Sequence, residues 1–263
     1  MATLDLRGSA QFALATDQTE QGLVVLAANQ RYQHPSWREA GFLGPLAYDQ
    51  HGHIYVAPVP RVSLADNPLA GATTIWRVES QSGEMRPWTQ LPGAANERNP
   101  YGVLGLSYTC ELDLIFAGTV IGSTPQQEHG GVVALRPDGT MQALVLADTD
   151  VMGVLVVQTG TGYELYAGLA RSPHIIAVPI GSDGAATGPA RSLLDLTTAG
   201  AHPNERARKL RLVGNELRVD LVPFNFSLQT GADGQTPSRQ ATWVYDVTSQ
   251  LWRVERMAGM LVP

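Results

Sequence analysis

The chain has 263 residues, with 18 Lys and Arg against 24 Asp and Glu for a formal net charge of −6, and 44% hydrophobic residues. That balance supports a sizeable core and excludes the basic footprint with which nucleic-acid-binding domains neutralise phosphates. The single cysteine, Cys110, excludes an intrachain disulfide and any cysteine-built zinc cluster, and no stretch approaches the ~20 consecutive apolar residues that span a bilayer.

The N-terminal MATLDLRGSAQFALATD has neither a basic n-region nor a long apolar h-region, so no leader is expected within it. The compartment is read as cytoplasmic, or as secreted or periplasmic if a leader was removed. Taken onward in chain order, short apolar runs alternate with Gly, Pro, Asn and Asp, and a unit recurs about every 50 residues. GLVVLAANQRYQHPSWREAGFLGPLAYD (22–49) lies over GVVALRPDGTMQALVLADTDVMGVLVV (131–157). One small sheet cannot bury both faces alone, so this period predicts an all-β fold: a β-propeller of four-stranded antiparallel blades, strand A innermost and D outermost.

In the first unit, 11–16 reads as B, 23–28 as C and 32–37 as an outer run, with the innermost strand at 3–7 or 260–263. The second reads 46–48, 53–59, 73–79 and 85–91; the third 103–108, 112–120, 131–136 and 140–147. The fourth reads 153–158, 164–169, 174–180 and 190–196, and the fifth 209–213, 216–222, 240–247 and 251–257. Asp138-Gly139 and Asp183-Gly184 mark hairpin turns between C and D strands. The C strands centre on Val25, Ile75, Val133, Ile176 and Val244, about 55 residues apart, which counts five blades in a single domain over 1–263, six if one blade is incomplete. The ambiguous stretch is 192–207, where Pro203 argues against a continuous helix.

Strand reversal puts the A–B and C–D turns on one face, and these are tight. The B–C and D–A connections lie on the other face and are long: 60–72, 121–130 and 223–239 within blades, 92–101 and 197–208 between them. Long loops on a rigid scaffold are where binding and catalysis concentrate, so function is sought on that face. Glu39, Asn99 and Asp150 each precede an A strand. Oxygen donors converging there would suit Ca²⁺ or another divalent ion, and the same residues would otherwise cap turns. Asp150 and His129, which follows Glu128, are the acid–base candidates, with an ordinary surface pair as the alternative for His129. Trp37, Tyr101, Phe224 and Phe226 would line an apolar pocket or pack between blades, and Arg61 and Arg171 would hold an anionic group or form blade-to-blade salt bridges. No G-x-S-x-G elbow or Walker loop is present.

GPLAYDQHGHIYVAP (44–58) resembles the NHL-repeat blade, in which an Asp-x-x-Gly-x-Ile-Tyr-Val-Ala run forms strands A and B. ELYAGLARSPHIIAVPIGSDGAATGPA (164–190) is similar to a blade of the SMP-30/gluconolactonase and strictosidine-synthase-like group. The resemblance implies a six-bladed scaffold and, in lactonase-type members, a central divalent ion held by a Glu at the first inner strand, later Asn residues and an Asp that also acts as base. Glu39 and Asn99 match two of these positions. Met152-Gly153 stands where that pattern has Asn-Gly, and 168–170 where it has the Asp. The function expected is a noncatalytic binding or scaffolding module for a protein or small-molecule ligand, using the long-loop face. The alternative is a metal-dependent hydrolase of lactonase or esterase type.

Overall fold

The computed structural model describes residues 12–16, 21–27, 30–60, 69–224, 239–249 and 251–259. Five antiparallel sheets form among them. The first holds β1 (Phe12–Thr16), β2 (Leu23–Ala27) and β3 (Gln30–Tyr32). The second runs β4 (Leu43–Tyr48), β5 (Ile54–Pro58), β6 (Thr74–Val78) and β7 (Met85–Gln90). The third runs β8 (Val103–Thr109), β9 (Leu114–Thr119), β10 (Gly131–Leu135) and β11 (Met141–Leu146). The fourth runs β12 (Val151–Thr159), β13 (Gly162–Leu169), β14 (His174–Ile180) and β15 (Arg191–Asp195). The fifth runs β16 (Glu205–Val213), β17 (Glu216–Pro223), β18 (Arg239–Asp246) and β19 (Leu251–Gly259). Spatial order equals chain order in every sheet, so each is one meandering blade and the fold is a five-bladed β-propeller. The segments expected to supply the innermost strand of the first blade, 3–7 and 260–263, lie outside the described residues.

Apolar alternation along each strand places one row of side chains between each pair of neighbouring blades. Leu23, Val25 and Trp37 meet Leu43, Val56 and Met85 between the first and second blades. Tyr55, Ala57 and Ile75 meet Val103, Ile115 and Val133 between the next two. Phe116, Val132 and Ala134 face Val154, Leu165 and Val178, and Tyr166, Ile175 and Ala177 face Leu210, Val219 and Trp243. Each such large side chain contributes about 1.5–3 kcal/mol on burial, and the blades hold one another upright.

One irregularity recurs in the inner strands. Each of β4, β8, β12 and β16 carries a register shift against its B strand, between Leu43 and Leu46, Val103 and Gly105, Val151 and Gly153, and Ala207 and Lys209. Such a bulge adds one residue and re-aims its side chain. Close packing beside it requires Gly153, because a Cβ there would stand 2.7 Å from the Ala207 carbonyl oxygen of the next inner strand.

Two sequence expectations change. The outer run 32–37 is strand only as far as Tyr32. Pro35–Ala40 is a 3₁₀ segment, with the His34 side chain accepting from the Ser36 amide at its start. The ambiguous 192–207 divides into β15, a 3₁₀ turn over Leu196–Ala199, and β16, which begins at Glu205 rather than 209.

Candidate functional site

On the long-loop face the starts of the third, fourth and fifth inner strands each bury a polar side chain: Asn99, Asp150 and Glu205 are 0%, 0% and 3% exposed. Burial obliges them to find partners, and they find them in loops. Asn99 donates through Nδ2 to the Val120 and Ser123 carbonyls at 2.6 and 3.0 Å, while its Oδ1 accepts from the Tyr101 amide. Asp150 Oδ1 accepts from the Ser123 hydroxyl and the Gly130 amide, and Oδ2 accepts from Arg171 Nε at 2.7 Å. The Asp150 amide donates to Glu128 Oε2 at 2.6 Å. Glu205 accepts from the His202 amide and from Arg239 Nη1 at 2.9 Å.

Arg171 is a strut in this arrangement. Beyond Asp150, its Nη1 donates to the Pro125 carbonyl and its Nη2 to those of Thr124 and Gln127, with Glu128 Oε1 3.5 Å from Nε. It therefore holds the 124–128 loop against the fourth blade. Of the two expectations for Arg171, an anionic ligand or a salt bridge, the salt bridge is what forms here, with its donors directed to two carboxylates and three carbonyls. Arg206 does similar work for the fifth blade, donating to the Ala170, Arg171 and Pro203 carbonyls, and burial lowers its pKa. Ser123, Glu205 and Arg206 were missed in the sequence, where nothing distinguishes a loop serine from a loop anchor.

The bulges decide what meets the channel axis above and below these anchors. Leu104 and Met152, the extra residues of β8 and β12, join Val120 and Ala170 in a buried apolar cluster, with Val59, Tyr101, Val222 and Phe224 packed against it. These residues come from four blades and meet at the long-loop ends of their inner strands. Tyr101 and Phe224 meet edge to face, centroids 5.1 Å apart, and desolvation pushes the Tyr101 phenol up to about 12. The equivalent extra residue of β16 is Arg208.

The remaining sequence candidates divide. Trp37 is 2% exposed and its indole N–H donates to the Gly83 carbonyl at 2.8 Å, so it is a wedge between two blades rather than a ligand contact. Glu39 is exposed on the 3₁₀ segment and lines a groove of about 130 Å³ with Phe42, Val59, Pro60, Trp76 and Pro100. The indole N–H of Trp76 is buried, with no hydrogen-bond partner among the described residues. His129 is 42% exposed, with Asp148 Oδ1 at 3.9 Å, and its backbone amide donates to Ser123. Arg61 and Phe226 lie outside the described residues.

A divalent ion does not fit the expected set. Asn99 and Asp150 have their oxygens committed to amides, a hydroxyl and a guanidinium, Glu39 stands in a separate groove, and Met152 and Ala170 are apolar cluster residues. Among the described residues no group of three His, Cys, Asp or Glu side chains is arranged to hold a metal, and no helix is long and apolar enough to cross a membrane.

The architecture is that of the β-propellers to which SMP-30-type proteins belong. No family model and no curated protein matches the chain, and the likeness is found in solved structures. Regucalcin from Agrobacterium tumefaciens, described as a calcium-binding protein, superposes with a TM-score of 0.53 at 13% identity, over 96% of this chain and 76% of that one. A Lactobacillus plantarum protein gives 0.53 at 12%, over 95% and 67%. A gluconolactonase from Xanthomonas campestris gives 0.51 at 13%, over 79% and 64%. At such identities the likeness is one of fold.

Proposed function

We propose that the chain is a noncatalytic binding propeller whose long-loop face receives a protein segment or small ligand. The observation that carries this reading is the buried apolar cluster of Leu104, Val120, Met152 and Ala170 at the long-loop ends of the inner strands, where a propeller hydrolase needs polar groups facing a reactant. The nearby polar residues serve the loops. The 121–130 loop, anchored by Asn99, Asp150 and Arg171, would lose less conformational entropy when a partner docks. The groove beside Glu39 offers a carboxylate with proline and aromatic walls.

A second reading, a metal-dependent hydrolase of lactonase or esterase type, is favoured by the fold likeness to regucalcin and gluconolactonase. The two are separated by assaying lactones, phosphoesters and glycosides with and without added Ca²⁺, Zn²⁺ or Mn²⁺. The binding reading expects no turnover above background. Robust turnover that disappears in Asp150→Asn would refute it.

A further inference from the structure

A cavity of about 260 Å³ is lined by all four described inner strands and shares Leu104 and Val222 with the apolar cluster. Most of its lining is aliphatic or glycine, but β16 contributes Arg208 and Lys209 at its bulge, with Ser107 of β8 and Asp220 of β17 nearby. Lys209 is the single lysine among 18 basic residues. Both cations retain accessible surface although protein surrounds them, because that surface faces the cavity. Arg208 is the more enclosed.

Among the described residues the charges do not balance. Asp220 is the one carboxylate that they bring to the lining, and its oxygens are taken by Arg211 Nη2 at 2.9 and 3.0 Å and by Gln240 Nε2 at 2.7 Å. Neither Arg208 nor Lys209 has a hydrogen-bond or ion-pair partner among the described residues. Counting Arg211, three cations face one carboxylate. Desolvation lowers the pKa of both Arg208 and Lys209, and for Lys209 repulsion from Arg211 and Arg208 adds to it against the pull of Asp220. Two cations side by side in the wall of one cavity, with its carboxylate already engaged, repel each other and leave a positive potential that an anion entering the cavity would neutralise.

We infer that the central cavity is an anion site, in which the Arg208 guanidinium and Lys209 ammonium bind a small oxyanion, a phosphate or the carboxylate of a small organic acid. A guanidinium presents paired donors that match either group, and an ammonium adds a point charge. The site lies in the channel and is separate from the groove beside Glu39, so it does not depend on the binding face proposed above.

The single lysine makes the test direct. Full-length protein labelled with ¹³C at the lysine ε carbon gives one side-chain reporter, titrated separately with inorganic phosphate and with malonate, with chloride at matched ionic strength as control. A saturable shift with phosphate identifies a phosphate-type ligand and one with malonate a carboxylate-type ligand. In either case the pH at which Lys209 titrates rises, and the response is lost in Arg208→Gln. Without anion, Arg208→Gln and Lys209→Gln melt no lower than the parent, because each removes an uncompensated charge. The inference is overturned if neither anion produces a saturable shift up to about 10 mM, the weak end of specific binding, or if chloride gives the same response. A marked fall in melting temperature for both variants would overturn it too, since the charges would then be satisfied within the protein.

Discussion

Replacing Arg171 with Met separates a strut from a ligand contact. Its partner Asp150 has a side chain with no exposure, while that of Arg171 is 23% exposed. Removing one member of such a pair strands a charge and costs about 3–5 kcal/mol. The carbonyls of Thr124, Pro125 and Gln127 lose donors as well, but they lie nearer solvent and water can replace the guanidinium, so the ion pair sets the scale. For a chain of this size each kcal/mol moves the midpoint by about 2–4 °C, and the expected fall in Tm is about 6–20 °C. Circular dichroism melts measure it, and amide exchange over 124–130 should quicken in the same variant. Adding Asp150→Asn to Arg171→Met should recover part of the loss, because no charge then remains buried. A single variant melting within about 2 °C of the parent, with unchanged exchange in the loop, would refute the strut.

Met152→Ala opens a hole in the apolar cluster and should cost about 2–5 kcal/mol, and Met152→Asn loses much of the same packing and adds about 1–3 kcal/mol for an amide placed among apolar groups; urea unfolding at constant m-value checks both. Trp37→Phe keeps the ring between the first two blades but strands the Gly83 carbonyl, for an expected loss of about 0.5–1.5 kcal/mol in the same assay; a ligand-binding Trp37 would leave stability unchanged. Tyr101, raised to about 12 against an unfolded value near 10, favours the fold fully below pH 10, and that contribution is lost as pH climbs through about 12. Alkaline unfolding curves of Tyr101→Phe should therefore fall less steeply across that window than those of the parent.

The repeat was legible because its causes are local: alternating apolar residues, and turns such as Asp138-Gly139, where Gly139 adopts φ 91°. Strands β8 to β15 lie within two residues of where the pattern puts them. The start of β16 was hidden because ERARKLRLV carries charge where the other inner strands carry Val, Leu and Met, and a strand facing a wet cavity does not announce itself by hydrophobicity. The candidate site was harder to read. Asn99 and Asp150 were recognised as buried-channel candidates by their positions, yet which way an oxygen faces depends on Ser123, Gly130 and Arg171, 27, 20 and 21 residues away from Asp150. Met152 and Ala170 could be noted as substitutions in a pattern; that they meet Leu104 and Val120 in one cluster is a property of how neighbouring blades pack.

The central claim, that this propeller binds through its loop face and does not hydrolyse substrate with a channel metal, is tested most directly by calorimetric titration of the full chain with Ca²⁺, Zn²⁺ and Mn²⁺. No stoichiometric site is expected, because the oxygens of Asn99 and Asp150 are already committed and Met152 and Ala170 offer none. One metal bound per chain, lost in Asp150→Asn and in Glu39→Gln, would contradict it.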